Sequence, residues 1–513
     1  MLIVFFGVMV AIGLYCRRHA ADVNGFVLGG RNVGPWLTAF AYGTSYFSAV
    51  VFVGYAGQFG WKYGVAATWA GLGNAFIGSL MAWAILGRRT RIMTQHLDSA
   101  TMPEFFGKRF DSSALKLCAS AIIFVFLIPF TASLYNGLSR LFAMAFDIDY
   151  SVCVIVMAVL TGIYVISGGY MATAINDFIQ GVIMIFGIVA VIAAVLNSQG
   201  GFLMALEKMA AVSDPTVSSA PGVFNSFFGP DPVNLLGVVI LTSLGTWGLP
   251  QMVQKFYAIK SESAISKGMI ISTVFALFVA GGCYFLGGFG RLFADKMEII
   301  NGIPNGSYDS VIPTMLSGLP TLLIAVVVIL VLSASMSTLS SLVLTSSSTL
   351  TLDFIKGTVV KKMDGKKQVM CIRILVAVFI AISAVLAIIQ YRSSVTFIAQ
   401  LMGVSWGALA GAFLAPFMYG LYWKRTTKAA CWVSFLFATV FMLLDISPLK
   451  TYLPALLQSP INAGAFCMIA GLIIVPVVSL ITPAPKKERL DEIFKCYDKT
   501  VTVTVKDSIG EEQ

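Results

Sequence analysis

Apolar stretches of about twenty residues recur along the whole chain, separated by short polar or charged segments. A helix rises about 1.5 Å per residue, so a stretch of this length crosses the roughly 30 Å hydrocarbon core of a bilayer. This pattern predicts an all-α polytopic membrane protein with about thirteen transmembrane helices. The predicted spans cover residues 1–16, 34–57, 65–87, 115–143, 151–167, 176–197, 234–256, 268–290, 320–345, 371–391, 395–420, 428–445 and 461–482.

Composition and charge placement agree with this class and orient the chain. The sequence is 58% hydrophobic and 11% charged, which is typical of membrane proteins. With the N-terminus outside and the C-terminus inside, about 27 of the 34 Lys and Arg residues fall on the cytoplasmic side, as the positive-inside rule requires. We expect a multi-pass protein of the cytoplasmic membrane. The net charge of +10 follows from this bias and indicates no nucleic-acid partner.

Few residues are suited to catalysis. The eight cysteines are scattered and lie mostly within predicted spans, and the two histidines, His19 and His96, lie in predicted loops. No spacing suggests a disulfide framework or a metal centre, so we expect no enzyme. The apolar first half of the ninth span argues against a channel. A transporter-like sensor would need an attached signalling domain, and we expect none.

Hydroxyl side chains are concentrated in the ninth span. Residues 333–351 read "SASMSTLSSLVLTSSSTLT", in which twelve of nineteen residues are Ser or Thr. On a helix, positions 334, 337, 338 and 341 share one face. Buried Ser and Thr often bond to the carbonyl one turn earlier or permit close helix packing. The density of hydroxyls favours a second interpretation, in which their oxygens bind a hard cation.

Two other polar features lie at membrane depth. The second span, "AFAYGTSYFSAVVFVGYAG", contains Gly43, Thr44 and Ser45, which fit an unwound point with free carbonyls and fit a packing interface equally well. Asp177, in "GGYMATAINDFIQG", opens the sixth span. It is a site candidate, or a helix N-terminal acid stabilised by the macrodipole. We interpret Asp353 as a charge at the membrane interface.

Several motifs together resemble one family of transporters. They read "FVLGGRNVGPW", "GTSYFS", "GGYMATAINDFIQG", "GLPQMVQKF", "SMSTLSS" and "GLYWKRTTKAA". The chain resembles, over nearly its whole length, the sodium–solute symporter family, which includes bacterial proline, pantothenate, sialic-acid and sodium–glucose transporters. By motif it is most similar to the pantothenate/proline-type branch. The resemblance implies a five-plus-five inverted-repeat core whose first helix is discontinuous.

The resemblance also divides the chain and assigns its sodium ligands. The implied parts are a flanking helix and loop (1–33), the first repeat (34–197), an external loop (198–233), the second repeat (234–421), two flanking helices (422–482) and a cytoplasmic tail (483–513). The family's shared sodium site falls on the carbonyls of Thr44, Phe47 and Ala334 and the hydroxyls of Ser337 and Thr338. Some members have a second sodium site, whose positions here hold Asp177, Ser340 and Ser341.

The solute is less well specified. Proline permeases have an Asp and a Trp where this chain has Tyr46 and Thr242, and both departures argue against proline. The predicted pocket residues facing the discontinuous helix are Tyr46, Ser48, Phe52, Phe130, Thr242, Thr246 and Trp247. Plain helix packing explains each of them equally well. Aromatic rings with a few hydroxyls suit a small organic solute, such as an amino acid, a vitamin-like carboxylate or a sugar.

These observations predict a sodium-coupled symporter that imports a small organic solute by alternating access. The alternative is a proton-coupled symporter of the same fold, in which Asp177 carries the proton. Sodium is favoured because the hydroxyls of Ser337 and Thr338 do not titrate near neutral pH. The sequence leaves open whether one or two sodium ions move in each cycle.

Overall fold

The fold is built almost entirely from helices. The computed structural model describes residues 2–17, 20–45, 47–146, 148–218, 220–300, 302–305, 307–360, 363–393 and 398–498. The helices are α1 (Leu2–Cys16), α2 (Val23–Leu28), α3 (Pro35–Thr44), α4 (Ala56–Tyr63), α5 (Thr68–Gly73), α6 (Arg88–His96), α7 (Met102–Phe110), α8 (Ser113–Phe146), α9 (Tyr150–Ser198), α10 (Phe202–Ala211), α11 (Pro232–Gly248), α12 (Pro250–Ala258), α13 (Glu262–Ala276), α14 (Gly282–Gly287), α15 (Val311–Ser317), α16 (Thr321–Thr349), α17 (Gly365–Ser393), α18 (Ile398–Tyr422), α19 (Lys428–Ile446), α20 (Pro460–Ile481) and α21 (Lys487–Phe494).

Short π-helical segments extend several of these helices. They are Val50–Tyr55, Asn74–Met81, Trp83–Gly87, Leu277–Gly281 and Leu350–Val359. A two-residue antiparallel pair, β1 (Ile299–Ile300) with β2 (Ile303–Pro304), lies in the loop after α14.

Within the described residues, nine helical segments are long and apolar enough to cross a membrane. They become ten if α11 and α12, which are bent by 44°, form one broken span. Two of the nine contain a backbone break at a glycine. Gly64 divides Val50–His96 with φ +63°, and Gly169 divides Tyr150–Ser198 with φ +57°. Each of the thirteen predicted spans overlaps a helix, but thirteen separate crossings and the inverted repeat remain predictions.

The second predicted span is discontinuous. Helix α3 ends at Thr44, and helical structure resumes with the π-helical segment from Val50 to Tyr55 and continues into α4. The residues around this interruption are buried, including Thr44, Ser45 and Phe47 at 0% exposure. The central helix α16 is buried from Leu330 to Thr349. The interruption therefore lies inside the protein, where neighbouring side chains satisfy its backbone groups.

Part of the C-terminal tail is ordered against the body of the protein. Lys424 Nζ lies 2.8 Å from Asp491 Oδ1, and Arg489 Nη1 lies 3.0 Å from Asp111 Oδ2. The guanidinium of Arg109 lies 5.0 Å from the ring centroid of Phe494. Burial lowers the pKa of Arg109 to about 10. Residues 499–513 lie outside the described part of the chain.

Candidate functional site

One hydroxyl of α16 lies at the centre of a cluster of backbone carbonyl oxygens. The Thr338 Oγ1 atom is 3.0 Å from the carbonyl oxygens of both Thr44 and Phe47. It is 3.1 Å from the carbonyl oxygen of Ala334, one turn earlier in the same helix. All four residues are fully buried. The discontinuous second span and the hydroxyl-rich helix therefore meet at this point.

The local backbone explains why these carbonyls are available. The end of α3 at Thr44 takes the carbonyls of Thr44 and Phe47 out of a continuous helical ladder. The contact with Ala334 is the back-bond that any helical Thr can make, but the two contacts across helices are not. A hydroxyl donates one proton at a time, so three carbonyls around it form an uncharged, oxygen-rich cluster. Such oxygens suit a hard cation.

Ser337 is the fifth residue that the resemblance assigns to the shared sodium site. Its side chain is buried and lies within interaction range of the Asp177 carboxylate. Its Oγ atom makes no direct hydrogen bond to another described residue. Ser337, directly before Thr338 in the chain, is therefore a neighbour of Asp177.

A lysine side chain enters the predicted second sodium site. Lys255, on α12, is 2% exposed, and its Nζ donates to Ser341 Oγ at 3.1 Å. The same nitrogen lies 5.1 Å from the ring centroid of Tyr170. Lys255 and Asp177 attract each other electrostatically. Ser341 Oγ also lies 3.0 Å from Ser45 Oγ, at the interruption of the second span.

The other two members of the predicted second site differ in their partners. Asp177 is 0% exposed, and neither of its carboxylate oxygens has a hydrogen-bond partner among the described residues. Ser340 Oγ donates to the carbonyl of Ser337 at 2.9 Å, a bond within its own helix. Ser341 is therefore hydrogen-bonded to the Lys255 ammonium, whereas Asp177 attracts it electrostatically without an ion-pair contact between the two groups.

Six of the seven predicted pocket residues are described and buried, and most of their polar groups bond to backbone. Tyr46 lies outside the described residues. Ser48 accepts from the amide of Val50 at 3.2 Å, and Phe52 is 0% exposed. The indole of Trp247 donates to the carbonyl of Ile77 at 2.9 Å.

The remaining pocket candidates also have close neighbours. Thr246 Oγ1 contacts the carbonyl of Gly78 at 2.8 Å, and Thr242 Oγ1 contacts the carbonyl of Val238 at 2.9 Å. Because each hydroxyl already bonds to a backbone carbonyl, helix packing alone explains why both are buried. A role in solute binding stays a prediction for all seven residues.

Sequence reasoning missed two buried residues near these groups. Lys255 lies at the end of the predicted span 234–256, where the positive-inside rule places it among the cytoplasmic charges. Trp406, on α18, packs edge-on against Phe130 with centroids 5.8 Å apart, and its indole nitrogen has no partner among the described residues. Its neighbours in "GVSWGAL" gave no signal that distinguishes a pocket residue from a core residue.

Asp353 corrects one expectation from the sequence. It is 1% exposed rather than an interface charge, and the Thr101 hydroxyl donates to its Oδ2 atom at 2.5 Å. Thr101 also caps α7 by accepting from the amide of Glu104. The carboxylate therefore fastens the end of the ninth span to the segment that precedes α7.

Comparisons with known proteins identify the class. Residues 26–436 match the model of the sodium:solute symporter family, and the chain belongs to this family. An osmoregulated proline transporter of Bacillus subtilis (strain 168) is 29% identical over 489 residues, 94% of each chain. A sodium/proline symporter of Staphylococcus aureus is 30% identical over 440 residues, which are 84% of this chain and 82% of that protein.

A solved structure shares the fold. A Na+-coupled sialic acid symporter, in a substrate-bound outward-open state, matches with a TM-score of 0.73 and 18% identity, covering 95% of this chain and 98% of that one. The prediction of an all-α polytopic transporter is thereby confirmed, as is the prediction that the chain is not an enzyme. Membership of the family also makes Na+ the coupling ion.

Proposed function

We propose that this protein imports a small organic solute across the cytoplasmic membrane, driven by sodium bound at Thr44, Phe47, Ala334, Ser337 and Thr338. The observation that carries this proposal is the approach of the Thr338 hydroxyl to three carbonyl oxygens from two separate helices. An ion held there would fasten the interrupted second span to α16. Solute would then bind beside the interruption, and the core would reorient to open the site inward.

The solute is proposed to be a zwitterion or a small monocarboxylate. None of the seven predicted pocket residues is charged, which argues against a polyanion. The two curated relatives described above are proline transporters by name, so proline belongs in the first screen. The replacement of an expected Asp by Tyr46 and of an expected Trp by Thr242 favours a related solute over proline itself.

The first test requires no solute. The purified protein is heated in detergent in equal concentrations of sodium, lithium, potassium and choline chloride. A ligand that binds only the folded state stabilises it by about 2.7 kcal/mol at a hundredfold excess over Kd. We expect a sodium-specific rise in Tm that Thr338→Ala removes. Ser348→Ala is the matched control, because among the described residues the Ser348 hydroxyl on the same buried helix bonds only to the carbonyl of Thr345.

Either outcome is informative. A sodium-specific rise in Tm that persists in Thr338→Ala would show that sodium binds at another site. Equal Tm values in all four salts, with a rise on acidification that Asp177→Asn removes, would indicate proton coupling. With the sodium response in place, transport of labelled zwitterions and monocarboxylates into proteoliposomes, with and without an inward sodium gradient, identifies the solute class.

A further inference from the structure

The buried ammonium of Lys255 lies where the family resemblance places a second sodium ion. A buried charge is costly unless an opposite charge or several hydrogen bonds compensate it. The compensation here comes from three residues on two helices, α9 and α16. Asp177 on α9 supplies the negative charge, Ser341 on α16 accepts a hydrogen bond at 3.1 Å, and the Tyr170 ring lies 5.1 Å away.

The neighbouring residue holds this part of α12 in place. Gln254 Nε2 donates to the carbonyl of Val27 at 3.0 Å, and its Oε1 accepts from Thr345 Oγ1 at 2.7 Å. These bonds attach α12 to α2 and to α16 at the residue directly before Lys255. The ammonium is therefore fixed by its backbone as well as by its own contacts, which distinguishes it from a mobile surface lysine.

The donor set at this point does not fit a second sodium ion. The Ser341 hydroxyl already accepts from the ammonium, and the Ser340 hydroxyl is bonded to the carbonyl of Ser337. The Asp177 carboxylate is the only anionic ligand of the three. An ion bound to Asp177 and Ser341 would compete with Lys255 for the Ser341 hydroxyl. It would also lie close to the ammonium, and two positive charges close together in a poorly screened interior repel strongly.

We propose that the Lys255 ammonium takes the place of the second sodium ion, so that this protein binds and carries one sodium ion per cycle. This inference rests on the proposed function, because it takes the Thr338 cluster as the site of the remaining ion. Lys255 is then a residue that sets the ion stoichiometry. Its positive charge stays in the protein, balances Asp177 in every state and is never released to the cytosol.

Equilibrium binding of radioactive sodium to the purified protein tests the inference with sodium alone. We expect one ion per wild-type protein and no binding to Thr338→Ala. Lys255→Gln removes the ammonium and leaves Asp177, Ser340 and Ser341, so we expect it to bind two ions. Lys255→Arg keeps the charge and should bind one. Adding Asp177→Asn to Lys255→Gln should return the count to one.

The outcomes separate this inference from the proposed function. Two ions per wild-type protein, or one ion with unchanged Kd in folded Lys255→Gln, would overturn the role of Lys255. If Lys255→Gln alone is too unstable to purify in potassium, its stability in sodium decides, since a second ion beside Asp177 should restore its Tm and a failure of sodium to do so would overturn the role of Lys255. Absence of sodium binding by the wild type, or binding unaffected by Thr338→Ala, would instead contradict the proposed function.

Discussion

Arg291 connects the loop between α9 and α11 to the rest of the protein. Its Nε donates to the carbonyl of Trp61 at 2.7 Å, and its Nη1 lies 3.0 Å from Asp214 Oδ2. Its guanidinium stacks 3.7 Å from the ring centroid of Phe224. Hydrogen bonds from Thr216 and the Arg291 guanidinium hold the pKa of Asp214 below its usual value of about 3.9.

The lowered pKa of Asp214 makes a pH-dependent prediction. A carboxylate with a depressed folded pKa contributes stability that is fully present above its unfolded pKa and is lost as pH falls through the folded pKa. We expect Asp214→Asn to lower stability by about 1 kcal/mol at neutral pH. Its Tm deficit relative to wild type should stay constant from about pH 7 to pH 5 and shrink below about pH 4.

The measurement is thermal unfolding in detergent by intrinsic fluorescence across that pH range. Asp295→Asn, at an exposed carboxylate in the nearby segment, is the control and should match wild type throughout. A deficit that persists undiminished at pH 3, or one that disappears between pH 7 and pH 5, would contradict the assignment to Asp214.

At this scale, motif comparison located the sodium candidates but not their electrostatic surroundings. The motifs "GTSYFS" and "SMSTLSS" are enough to locate Thr338 and its carbonyl partners. Backbone ligands depend on where a helix breaks, and the first motif contains that break. Lys255 and Asp353 were predicted near the surface because each lies close to the end of an apolar stretch. Lys255 is buried because α12 packs against α2 and α16, and Asp353 is buried because the segment before α7 covers it.

Among the elements, α4 and α14 make an unusually close backbone contact. A Cβ atom at Gly60 would lie 1.9 Å from the carbonyl oxygen of Gly287, and one at Gly287 would lie 2.1 Å from that of Ala56. Small residues let membrane helices approach in this way. Since α4 continues from the interruption of the second span, this contact positions the Phe47 side of the candidate sodium site.

Gly60→Ala should therefore destabilise the protein and weaken sodium binding together. The clashing atom is backbone, so no side-chain rotation relieves it, and we expect a loss of about 3 kcal/mol. The Tm in potassium reports the loss of stability, and the further rise in Tm on changing to sodium reports sodium binding. Gly281→Ala is the matched control, because a Cβ there meets no atom within 4 Å. A normal sodium gain in Gly60→Ala would show that the contact does not support the site.

Helix breaks were predictable only in part. The string Gly43-Thr44-Ser45 pointed to an interruption, which begins directly after Thr44. Gly43 itself remains helical, and its lack of a side chain serves packing, since a Cβ there would lie 2.4 Å from the Phe275 ring. At Gly168-Gly169, only Gly169 adopts a positive φ. Sequence marks where a break is permitted, whereas the neighbouring helices decide which residue makes it.

For the whole molecule, the number of coupled ions limits how far solute can be concentrated. A tenfold inward sodium gradient and a potential near 100 mV supply about 1.4 and 2.3 kcal/mol per ion. One ion then supports accumulation of a neutral solute by several hundredfold, and two ions would support the square of that ratio. With a fixed ammonium at Lys255, the protein therefore builds a smaller solute gradient and uses fewer sodium ions for each solute molecule that it imports.

Orientation of the chain in the membrane is the remaining whole-molecule prediction, and it also tests the number of crossings. Three exposed positions sample it: Ile3 at the start of α1, Val217 in the loop after α10, and Glu492 in α21. The native cysteines are buried or partly buried, so cysteines introduced singly at these positions should dominate labelling. The assay compares intact and permeabilised cells treated with a membrane-impermeant maleimide.

Whether the number of crossings between two positions is odd or even determines which introduced cysteines should be labelled in intact cells. Six predicted spans separate residue 3 from residue 217, so Ile3→Cys and Val217→Cys should both react in intact cells. Seven more spans precede residue 492, so Glu492→Cys should react only after permeabilisation. The bias of Lys and Arg toward one side gives the direction. Reaction of Glu492→Cys in intact cells would reverse the orientation. Protection of Ile3→Cys alone would show that α1, which is short for a span, does not cross the membrane.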